Sequence, residues 1–249
     1  MSKLINIEIL DDLIMSTPEE LYSTFVDFEP ITKNVIIENI NDGDIFLDVG
    51  ANFGYFSIIA SRYVGPNGKV ISFEPSSETF TILQHNTSKL KNIEIYKTAL
   101  GSKQETKHFF HANDYVNSGF TKSPFQNPSE YSGNDLSVTT LDKFIKGKVK
   151  KVDFIKCDVQ GDDIDVLIGA KDTIQSNNNL KLIVEWAPTW MKSAGYDLND
   201  LPKILKELGF KDIIVVDDWH KNFKTVDQFI DEFNNDESGK RFCNLFCKK

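Results

Sequence analysis

The chain has 249 residues, 40% of them hydrophobic and 26% charged, a composition typical of an ordinary folded protein with room for a large core. Its 28 Lys+Arg against 37 Asp+Glu give a net charge of −9, which repels polyanions and argues against nucleic acid as a partner. No apolar run approaches the roughly 18 residues of a membrane span, and Glu8, Asp11 and Asp12 interrupt the N-terminal apolar residues, so we expect a cytoplasmic protein without a secretory signal.

The N-terminal region contains one helix signal. Thr17 is an N-cap residue, Pro18 suits the first helical position, and Glu20 completes a capping box. We therefore expect a short helix over residues 17–28. The composition shows no linker-like change along the chain, so we expect a single domain, with residues 1–40 as an N-terminal cap and residues 41–249 as the core.

From residue 44 onward, short apolar runs alternate with segments of helical period. Strands are predicted at residues 44–49, 69–73, 93–96, 152–156, 180–184, 212–216 and 241–248. Helices are predicted at residues 54–63, 76–90, about 162–175, 199–208 and from Thr225, where Gln228 completes a capping box. This alternation indicates an α/β fold with seven strands in a mostly parallel sheet and helices on both faces.

Residues 112–137 form a long stretch without a regular pattern. The stretch is rich in Asn, Ser, Gly and Pro and is interrupted by aromatic residues, namely Tyr115, Phe120, Phe125 and Tyr131. A loop of this length is usually functional or disordered. Two interpretations stay open: the aromatic residues belong to a lid over a ligand, or they anchor the loop to the core.

Two signals for a ligand site follow the first two strands of the alternating region. After the first strand, Gly50 and Gly54 lie in a strand-to-helix turn, where glycine admits a ligand close to the backbone and the helix offers free N–H groups. Their spacing differs from the G-x-G-x-x-G pattern that cradles a pyrophosphate. After the second strand, Glu74 can accept hydrogen bonds from both hydroxyls of a ribose. Together they indicate a nucleoside ligand without a pyrophosphate.

A series of further motifs lies in register with these two signals. They are Asp48 to Ser57, Phe73-Glu74-Pro75, Asn86, Ala99-Leu100-Gly101, Thr140-Leu141-Asp142, Asp153 to Gly161, Leu167 to Ala170 and Ile183-Val184-Glu185. In this order, over residues 44–247, they resemble the FkbM family of class I S-adenosylmethionine-dependent methyltransferases. The resemblance implies a Rossmann-like, seven-stranded sheet of order 3-2-1-4-5-7-6 whose last strand is antiparallel. It also implies methyl transfer from S-adenosylmethionine to a hydroxyl oxygen of a sugar, glycan or other secondary metabolite.

The same resemblance implies a donor site residue by residue. The residues expected at the methionine end are Gly50, Ala51, Asn52, Gly54 and Tyr55. Glu74 is expected at the ribose, and the backbone near Ala99 at the adenine. Asp48 is expected to orient the glycine turn or to meet the donor's ammonium group, and Asp158 to lie beside the donor or to position the acceptor. The alternative for the turn is a tight connection that binds no ligand.

One residue departs chemically from the family pattern. The family usually has Asp-Val-Glu-Gly-Ala-Glu where this chain has Asp158 to Asp163, so the amide of Gln160 replaces a carboxylate. An amide accepts no proton. Either the reaction does not need this acid, or Asp162 or Asp163 replaces it.

Asp158 and Glu185 lie at the ends of two neighbouring predicted strands. Both are candidates for chemistry at the acceptor. Their carboxylates can face one opening at about 5 Å in the pairing direction. They could hold a divalent cation, Mg²⁺ or Mn²⁺, that also binds the acceptor oxygen, or one of them could serve as a general base whose pKa the other raises. Strand alternation places Lys156 on the same face as Asp158, where it competes with a metal ion, so we favour a site without metal.

Other residues and other functions complete these expectations. His111 is a further candidate base, since an imidazole titrates near neutral pH. Trp186 and Trp190 could form an apolar platform under a sugar ring or pack in the core. Two rival functions are an NAD-linked oxidoreductase, which the glycine spacing disfavours, and a catalytically silent module that binds the donor and acts through a partner, which Gln160 keeps open. The sequence leaves the acceptor and the oligomeric state open.

Overall fold

A β-hairpin opens the fold, although the sequence pattern did not predict one. In a computed structural model, which describes residues 2–127, 129 and 131–249, strand β1 (Leu4–Leu10) pairs antiparallel with β2 (Leu13–Pro18). The alternation of side chains buries Ile7 and Ile9 on one side of the hairpin. The N-terminal cap therefore has an apolar face of its own that packs on the core.

The helix expected over residues 17–28 is wrong in its start and its length. β2 runs to Pro18, and only a 3₁₀ turn (Glu19–Leu21) and helix α1 (Tyr22–Phe25) follow. The hairpin pairs Pro18 with Leu4, and this tertiary pairing outweighs the local capping signal. A further helix, α2 (Pro30–Asn39), completes the cap.

The alternation of strands and helices predicted from residue 44 is confirmed. Its first units are β3 (Ile45–Val49), α3 (Tyr55–Val64), β4 (Lys69–Phe73), α4 (Ser77–Thr87) and β5 (Ile93–Tyr96). β4 pairs in parallel with both β3 and β5. The turns after β3 and β4 therefore meet at the same edge of the sheet.

A small second sheet follows, which the sequence pattern did not predict. It consists of β6 (Ala99–Leu100), β7 (Glu105–Ala112) and β8 (Tyr131–Thr139), in the order β6-β8-β7. The irregular stretch expected over residues 112–137 is therefore shorter, because residues 131–137 belong to β8; positions 128 and 130 lie outside the described residues. Both long strands were missed because most of their side chains are polar and few are buried.

The rest of the chain continues the alternation. Its elements are α5 (Leu141–Ile145), β9 (Phe154–Cys157), α6 (Asp163–Gly169), α7 (Lys171–Ser176), β10 (Lys181–Trp186), α8 (Pro188–Ser193), α9 (Asp200–Glu207), β11 (Asp212–Asp217), β12 (Asn222–Lys224), α10 (Val226–Asn234) and β13 (Cys243–Lys248). The helix expected over residues 162–175 is divided at Ala170, because the carboxylate of Asp142 caps α7 by accepting from the N–H of Thr173 at 2.8 Å. The capping box predicted at Thr225 is present. Within the described part of the chain, no helix has the length and apolar character needed to cross a bilayer.

The main sheet has eight strands rather than the seven expected. Its order is β12-β11-β13-β10-β9-β3-β4-β5, so the seven expected strands keep the expected order and β12 is added at one edge. β13 runs antiparallel to both of its neighbours, β10 and β11. β12 was missed because its three residues are too few to show a period of two.

One face of this sheet changes from apolar to polar along its central strands. Four side chains on this face lie in one buried apolar cluster: Phe46, Phe154, Ile183 and Phe246. Because alternate residues of a strand share a face, positions two residues away bring four polar side chains to the same face, namely Asp48, Lys156, Glu185 and Asn244. All four are at most 9% exposed. This buried polar group lies at the edge where the turns after β3 and β4 meet.

Candidate active site

The turn between β3 and α3 is a backbone structure that approaches its neighbours closely. The N–H groups of Gly50 and Ala51 donate to the carbonyl oxygen of Phe73 at 3.0 and 2.9 Å. Gly50 has a φ of 81°, and a Cβ atom there would lie 1.8 Å from the carbonyl oxygen of Asp158. Only glycine fits this position, so the turn is held in one conformation against the ends of β4 and β9.

Glu74, directly after β4, is bound to this turn. Its Oε2 accepts from the N–H of Asn52 at 3.0 Å, and its Oε1 accepts from the N–H of Ser76 at 2.8 Å. The side chain is 7% exposed, and burial raises the pKa of Glu74 to about 7 even though the two N–H groups favour the ionised form. Each carboxylate oxygen keeps a second lone pair for a ligand. The predicted proximity of Glu74 to the glycine turn is thus present.

Lys156 and Asp158, on and just after β9, form the ion pair of the site. Lys156 Nζ lies 3.1 Å from Asp158 Oδ2, and the amide of Gln160 donates to Asp158 Oδ1 at 2.8 Å. Burial alone would lower the pKa of Lys156, but the nearby carboxylates, that of Asp158 first, outweigh it and raise this pKa. Lys156 is therefore charged, and Asp158 has a hydrogen-bond partner on each oxygen.

The two acids after Gln160 have different roles. Asp163 lies under the loop, where its Oδ1 accepts from the N–H of Val159 at 3.1 Å and its Oδ2 from the N–H of Gly161 at 3.2 Å. Burial raises the pKa of Asp163 to about 7. Asp162 faces the cavity but pairs with Lys107 at 2.8 Å. Asp163 is thus a structural residue of the loop, and of the two only Asp162 is open to a ligand.

Two buried carboxylate oxygens lack a hydrogen-bond partner among the described residues: Oδ1 of Asp48 and Oε2 of Glu185. Asp48 Oδ2 accepts from the hydroxyl of Ser57 at 2.5 Å, so this carboxylate joins β3 to α3 beneath the turn. Burial raises the pKa of both acids, that of Glu185 well above its usual value. A buried acceptor without a donor is rare in folded proteins and indicates a missing partner.

These groups surround a cavity of about 390 Å³. Of the residues predicted for the site, Gly50, Ala51, Asn52, Tyr55, Glu74, Ala99, Asp158 and Glu185 line it. The other three, Asp48, Gly54 and His111, are not among the described lining residues. His111 lies on β7, where its Nε2 is 2.5 Å from Asn134 Oδ1, so the fold does not bring this imidazole to the carboxylates. Trp190 lines the cavity, whereas Trp186 is fully buried against Phe229, with ring centroids 4.7 Å apart.

Much of the lining comes from segments outside the individually predicted site residues: residues 1–40 and 112–137 were expected to cap the pocket, whereas the segment before β13 was not expected there. The N-terminal cap contributes Thr24, Phe25, Phe28 and Glu29, and the segment before β13 contributes Gly239 to Phe242. The loop between β7 and β8 contributes Tyr115 to Phe120, Ser123, Phe125 and Gln126. For the N-terminal cap, the sequence contains one indication. Pro30 is typical of the first position of a helix and so predicts that Glu29 precedes a helix start.

A metal site is not evident from these side chains. Among the described residues, no group of three or more His, Cys, Asp or Glu could hold a metal ion. Asp158 and Glu185 share their surroundings with the buried Lys156 ammonium, which occupies Asp158 Oδ2. The donor set is therefore two carboxylates beside a fixed cation, a poor match to the oxygen-rich site that Mg²⁺ prefers.

Comparison with known proteins agrees with this architecture. Residues 48–211 match the Methyltransferase FkbM domain. The chain is 25% identical over 176 residues to the hexuronic acid methyltransferase AglP of Haloferax volcanii, and the match spans 70% of this chain and 66% of AglP. Among solved structures, it is similar to a SAM-dependent methyltransferase from Aquifex aeolicus, with a TM-score of 0.50, 14% identity and coverage of 89% of this chain and 92% of that one.

A second solved structure carries the demethylated donor. It is a Streptococcus mutans protein in complex with SAH, with a TM-score of 0.50, 9% identity and coverage of 88% of this chain and 96% of that one. At such identities these two similarities concern the fold. The fold and the matched residues define the domain of an S-adenosylmethionine-dependent methyltransferase. The chain belongs to the FkbM methyltransferase family.

Proposed function

We propose that this protein transfers a methyl group from S-adenosylmethionine to a hydroxyl oxygen of a sugar or glycan. The observation that carries the proposal is one cavity with two chemically different ends. At one end Glu74 is bound to the glycine turn, and at the other Asp158, Lys156 and Glu185 lie together. The similar protein AglP is a hexuronic acid methyltransferase, which supports a sugar as the acceptor.

The donor end fits S-adenosylmethionine. The backbone of Gly50, Ala51 and Asn52 would hold the methionine portion, Glu74 the ribose hydroxyls, and the segment at Ala99 the adenine. When bound, the sulfonium group supplies a methyl carbon that is already electrophilic. The protein's task is therefore to align the acceptor oxygen with that carbon and to exclude water. Residues 113–127, whose aromatic side chains line the cavity, would act as the lid.

The acceptor end has to bind a hydroxyl group and take its proton. Asp158 already receives hydrogen bonds on both oxygens, whereas Oε2 of the buried Glu185 has no partner among the described residues. Glu185 therefore offers the missing partner for an acceptor hydroxyl. A divalent cation between Asp158 and Glu185 is the second alternative, and full turnover in the presence of EDTA would exclude it.

The silent-module alternative rests on Gln160, whose amide donates to Asp158 where the family has an acid. Thermal-shift assays address the cofactor first: we expect SAH, but not NAD, to raise the melting temperature. A methyl-transfer assay then separates an enzyme from a silent module.

The transfer assay uses tritium-labelled S-adenosylmethionine with D-glucuronic acid and the p-nitrophenyl β-glycosides of glucose and glucuronic acid as acceptors. We expect label in a product that resists mild alkali, because an ether survives conditions that cleave a methyl ester. Label that mild alkali releases would instead indicate carboxyl methylation. Binding of SAH without transfer to any of these acceptors would argue against the proposed acceptor class. Glu74→Ala serves as the donor-site control, and Glu78→Ala, at an exposed position of α4, as the neutral control.

A further inference from the structure

Glu29 is a carboxylate of the N-terminal cap that reaches the acceptor end of the cavity. It precedes α2 and has a φ of 41°, a left-handed conformation that few residues other than glycine adopt. Its side chain is half-buried and lines the cavity together with Lys156, Asp158 and Glu185. Residues held in such backbone conformations cluster at functional sites, so the position needs an explanation.

The backbone around Glu29 is fixed from distant parts of the chain. The hydroxyl of Tyr55 donates to the carbonyl oxygen of Phe28 at 3.1 Å. On the other side, Asp218 Oδ1 accepts from the N–H of Ile31 at 2.6 Å, and Asp218 Oδ2 accepts from the hydroxyl of Thr32 at 2.5 Å. Both ends of the turn are therefore held, one by the first residue of α3 and the other by the connection between β11 and β12.

The carboxylate itself is held beside Glu185. Asn244 Nδ2 donates to Glu29 Oε2 at 2.9 Å, and Asn244 lies opposite Glu185 in the antiparallel register of β13 and β10. Side chains paired in this way are about 5 Å apart at Cβ, so Glu29 lies one hydrogen bond from the neighbour of Glu185. Among the described residues, Asn244 is the one hydrogen-bond partner of the Glu29 side chain, which leaves Oε1 available.

The three carboxylates of this end differ in what they can do. Asp158 pairs with the charged Lys156 and has a partner on both oxygens. Burial raises the pKa of Glu185 well above its usual value, which favours the neutral carboxyl group. A neutral carboxyl group donates a hydrogen bond and is not a base. Burial raises the pKa of Glu29 to about 8, with Lys156 opposing the shift and Asp158 and Asp218 adding to it. Glu29 is therefore deprotonated in part at neutral pH and mostly above pH 8, and its carboxylate is basic enough to accept a proton.

We propose that Glu29 is the catalytic base of this methyltransferase and that Glu185 donates a hydrogen bond that orients the acceptor. The proposal rests on the proposed function. As the acceptor oxygen bonds to the methyl carbon, the carbon–sulfur bond breaks with its electron pair staying on sulfur, and the hydroxyl proton moves to the Glu29 carboxylate. The N-terminal cap is then part of the catalytic machinery as well as a cover for the core.

The test compares Glu29→Gln, Glu29→Asp and the control Glu38→Gln, which changes an exposed residue of the same helix, α2. Glutamine keeps the size and a hydrogen-bond acceptor but takes no proton. On an acceptor that the wild-type protein methylates, we expect Glu29→Gln to lower kcat by roughly 100-fold or more, with little change in KM. Glu29→Asp should retain part of the activity, and Glu38→Gln all of it. Calorimetry with SAH should give the wild-type affinity for all three variants, which shows that they are folded.

The pH profile distinguishes a base from a residue that only supports the fold. In the wild-type protein kcat should rise with pH, be half-maximal near pH 8 and level off roughly one pH unit higher, because the deprotonated form of Glu29 is the active one. Glu29→Gln should lack this rise. The other titratable groups that face Glu29 are Lys156, Asp158, Glu185, Asp218 and Tyr55, all of which this variant retains.

A measurement without acceptor separates the two proposals. In protein labelled with carbon-13 at the glutamate carboxyl, one resonance should titrate near pH 8 and be absent from Glu29→Gln. If this resonance is missing, or if Glu29→Gln keeps wild-type kcat and its pH profile, Glu29 is not the base. If the resonance is present but the wild-type protein methylates none of the hydroxyl acceptors, the proposed function fails. Glu29 then titrates as described but is not the base of a hydroxyl methylation.

Discussion

Glu74 shows how a single side chain can be prepared for a ligand by the backbone around it. Two backbone N–H groups from opposite sides hold its carboxylate, so the ligand does not have to order it. Preordering of this kind lowers the entropic cost of binding. Gly50 has the complementary role, because its missing side chain lets the turn pack on the end of β9. Both features concern individual residues, and each can be tested by a single substitution.

Glu74→Ala should weaken binding of SAH by tenfold or more. The substitution removes hydrogen bonds of a charged group, each of which contributes roughly 1.5–3 kcal/mol. Isothermal titration calorimetry measures the affinity, and the melting temperature of the unliganded variant shows whether the turn is still intact. Glu78→Ala, four positions further along, is the matched control with unchanged affinity. An unchanged affinity in Glu74→Ala would remove Glu74 from the donor site.

At the scale of elements, α2 depends on a connection far away in sequence. Its first turn has no cap from its own N-cap side chain, and Asp218, which follows β11, accepts from the N–H groups of Ile31 and Thr32 instead. The cap helix is thereby attached to the carboxyl edge of the main sheet. The helix N-terminus and the turn that carries Glu29 are consequently fixed to the end of β11.

Asp218→Ala should reduce the free energy of unfolding by about 1–2 kcal/mol, the usual effect of removing a helix cap. Urea denaturation followed by circular dichroism measures this difference. Asp212→Ala, at an exposed position of β11, is the control with no change beyond a few tenths of a kcal/mol. The variant should also lose methyl transfer more than it loses SAH affinity, since Glu74 and the glycine turn, the proposed donor end, are held by the ends of β3 and β4. Equal stability of both variants would show that the cap contributes nothing.

At the scale of the whole molecule, the fold concentrates acidic groups at one edge of the sheet. Burial raises the pKa of Glu29, Glu74, Asp163 and Glu185, so the folded state prefers their protonated forms more than the unfolded state does. Such groups stabilise the fold fully below their unfolded pKa values, and this stabilisation is lost as pH rises through their folded pKa values. The unliganded protein should thus be more stable near pH 5 than at pH 8.

Glu185→Gln should reduce this dependence on pH. Wild type loses stability above pH 5 because the buried Glu185 has to stay protonated, whereas glutamine does not titrate. The free energy of unfolding of the variant minus that of wild type should therefore increase with pH, by up to about 1.4 kcal/mol per pH unit above pH 5. Thermal and urea unfolding at pH 5, 6, 7 and 8 measure it, with Glu207→Gln, an exposed residue of α9, as the control. A constant difference between variant and wild type across this range would show that Glu185 titrates normally.

Local sequence patterns were sufficient for the parts of the fold and site that depend on neighbouring residues. Alternating apolar runs predicted seven of the eight strands of the main sheet, the capping box at Thr225 is present, and Gly50 and Glu74 lie together as expected. The strands and the cap depend on residues close in sequence, because local backbone geometry and side-chain period decide them. Gly50 and Glu74 meet because the parallel pairing of β3 and β4 brings the turns after both strands to one edge.

The tertiary structure decided what depends on contacts between distant residues. Pairing in the hairpin outweighed the helix signal at Thr17, and β7 pairs with β8 although both strands are mostly polar. His111 lies beside Asn134 and does not line the cavity. The carboxylate of Glu29 is held by Asn244, and the turn that carries it is held by Asp218. Both partners are far away in the chain, so the residues around Glu29 give no indication of either contact. The amino-acid pattern was thus sufficient for seven strands of the main sheet and for the glycine turn, whereas the acids that line the cavity together became evident only in the folded chain. The physical reason is that burial and charge proximity, which set the chemistry of those acids, are properties of residues brought together from far apart.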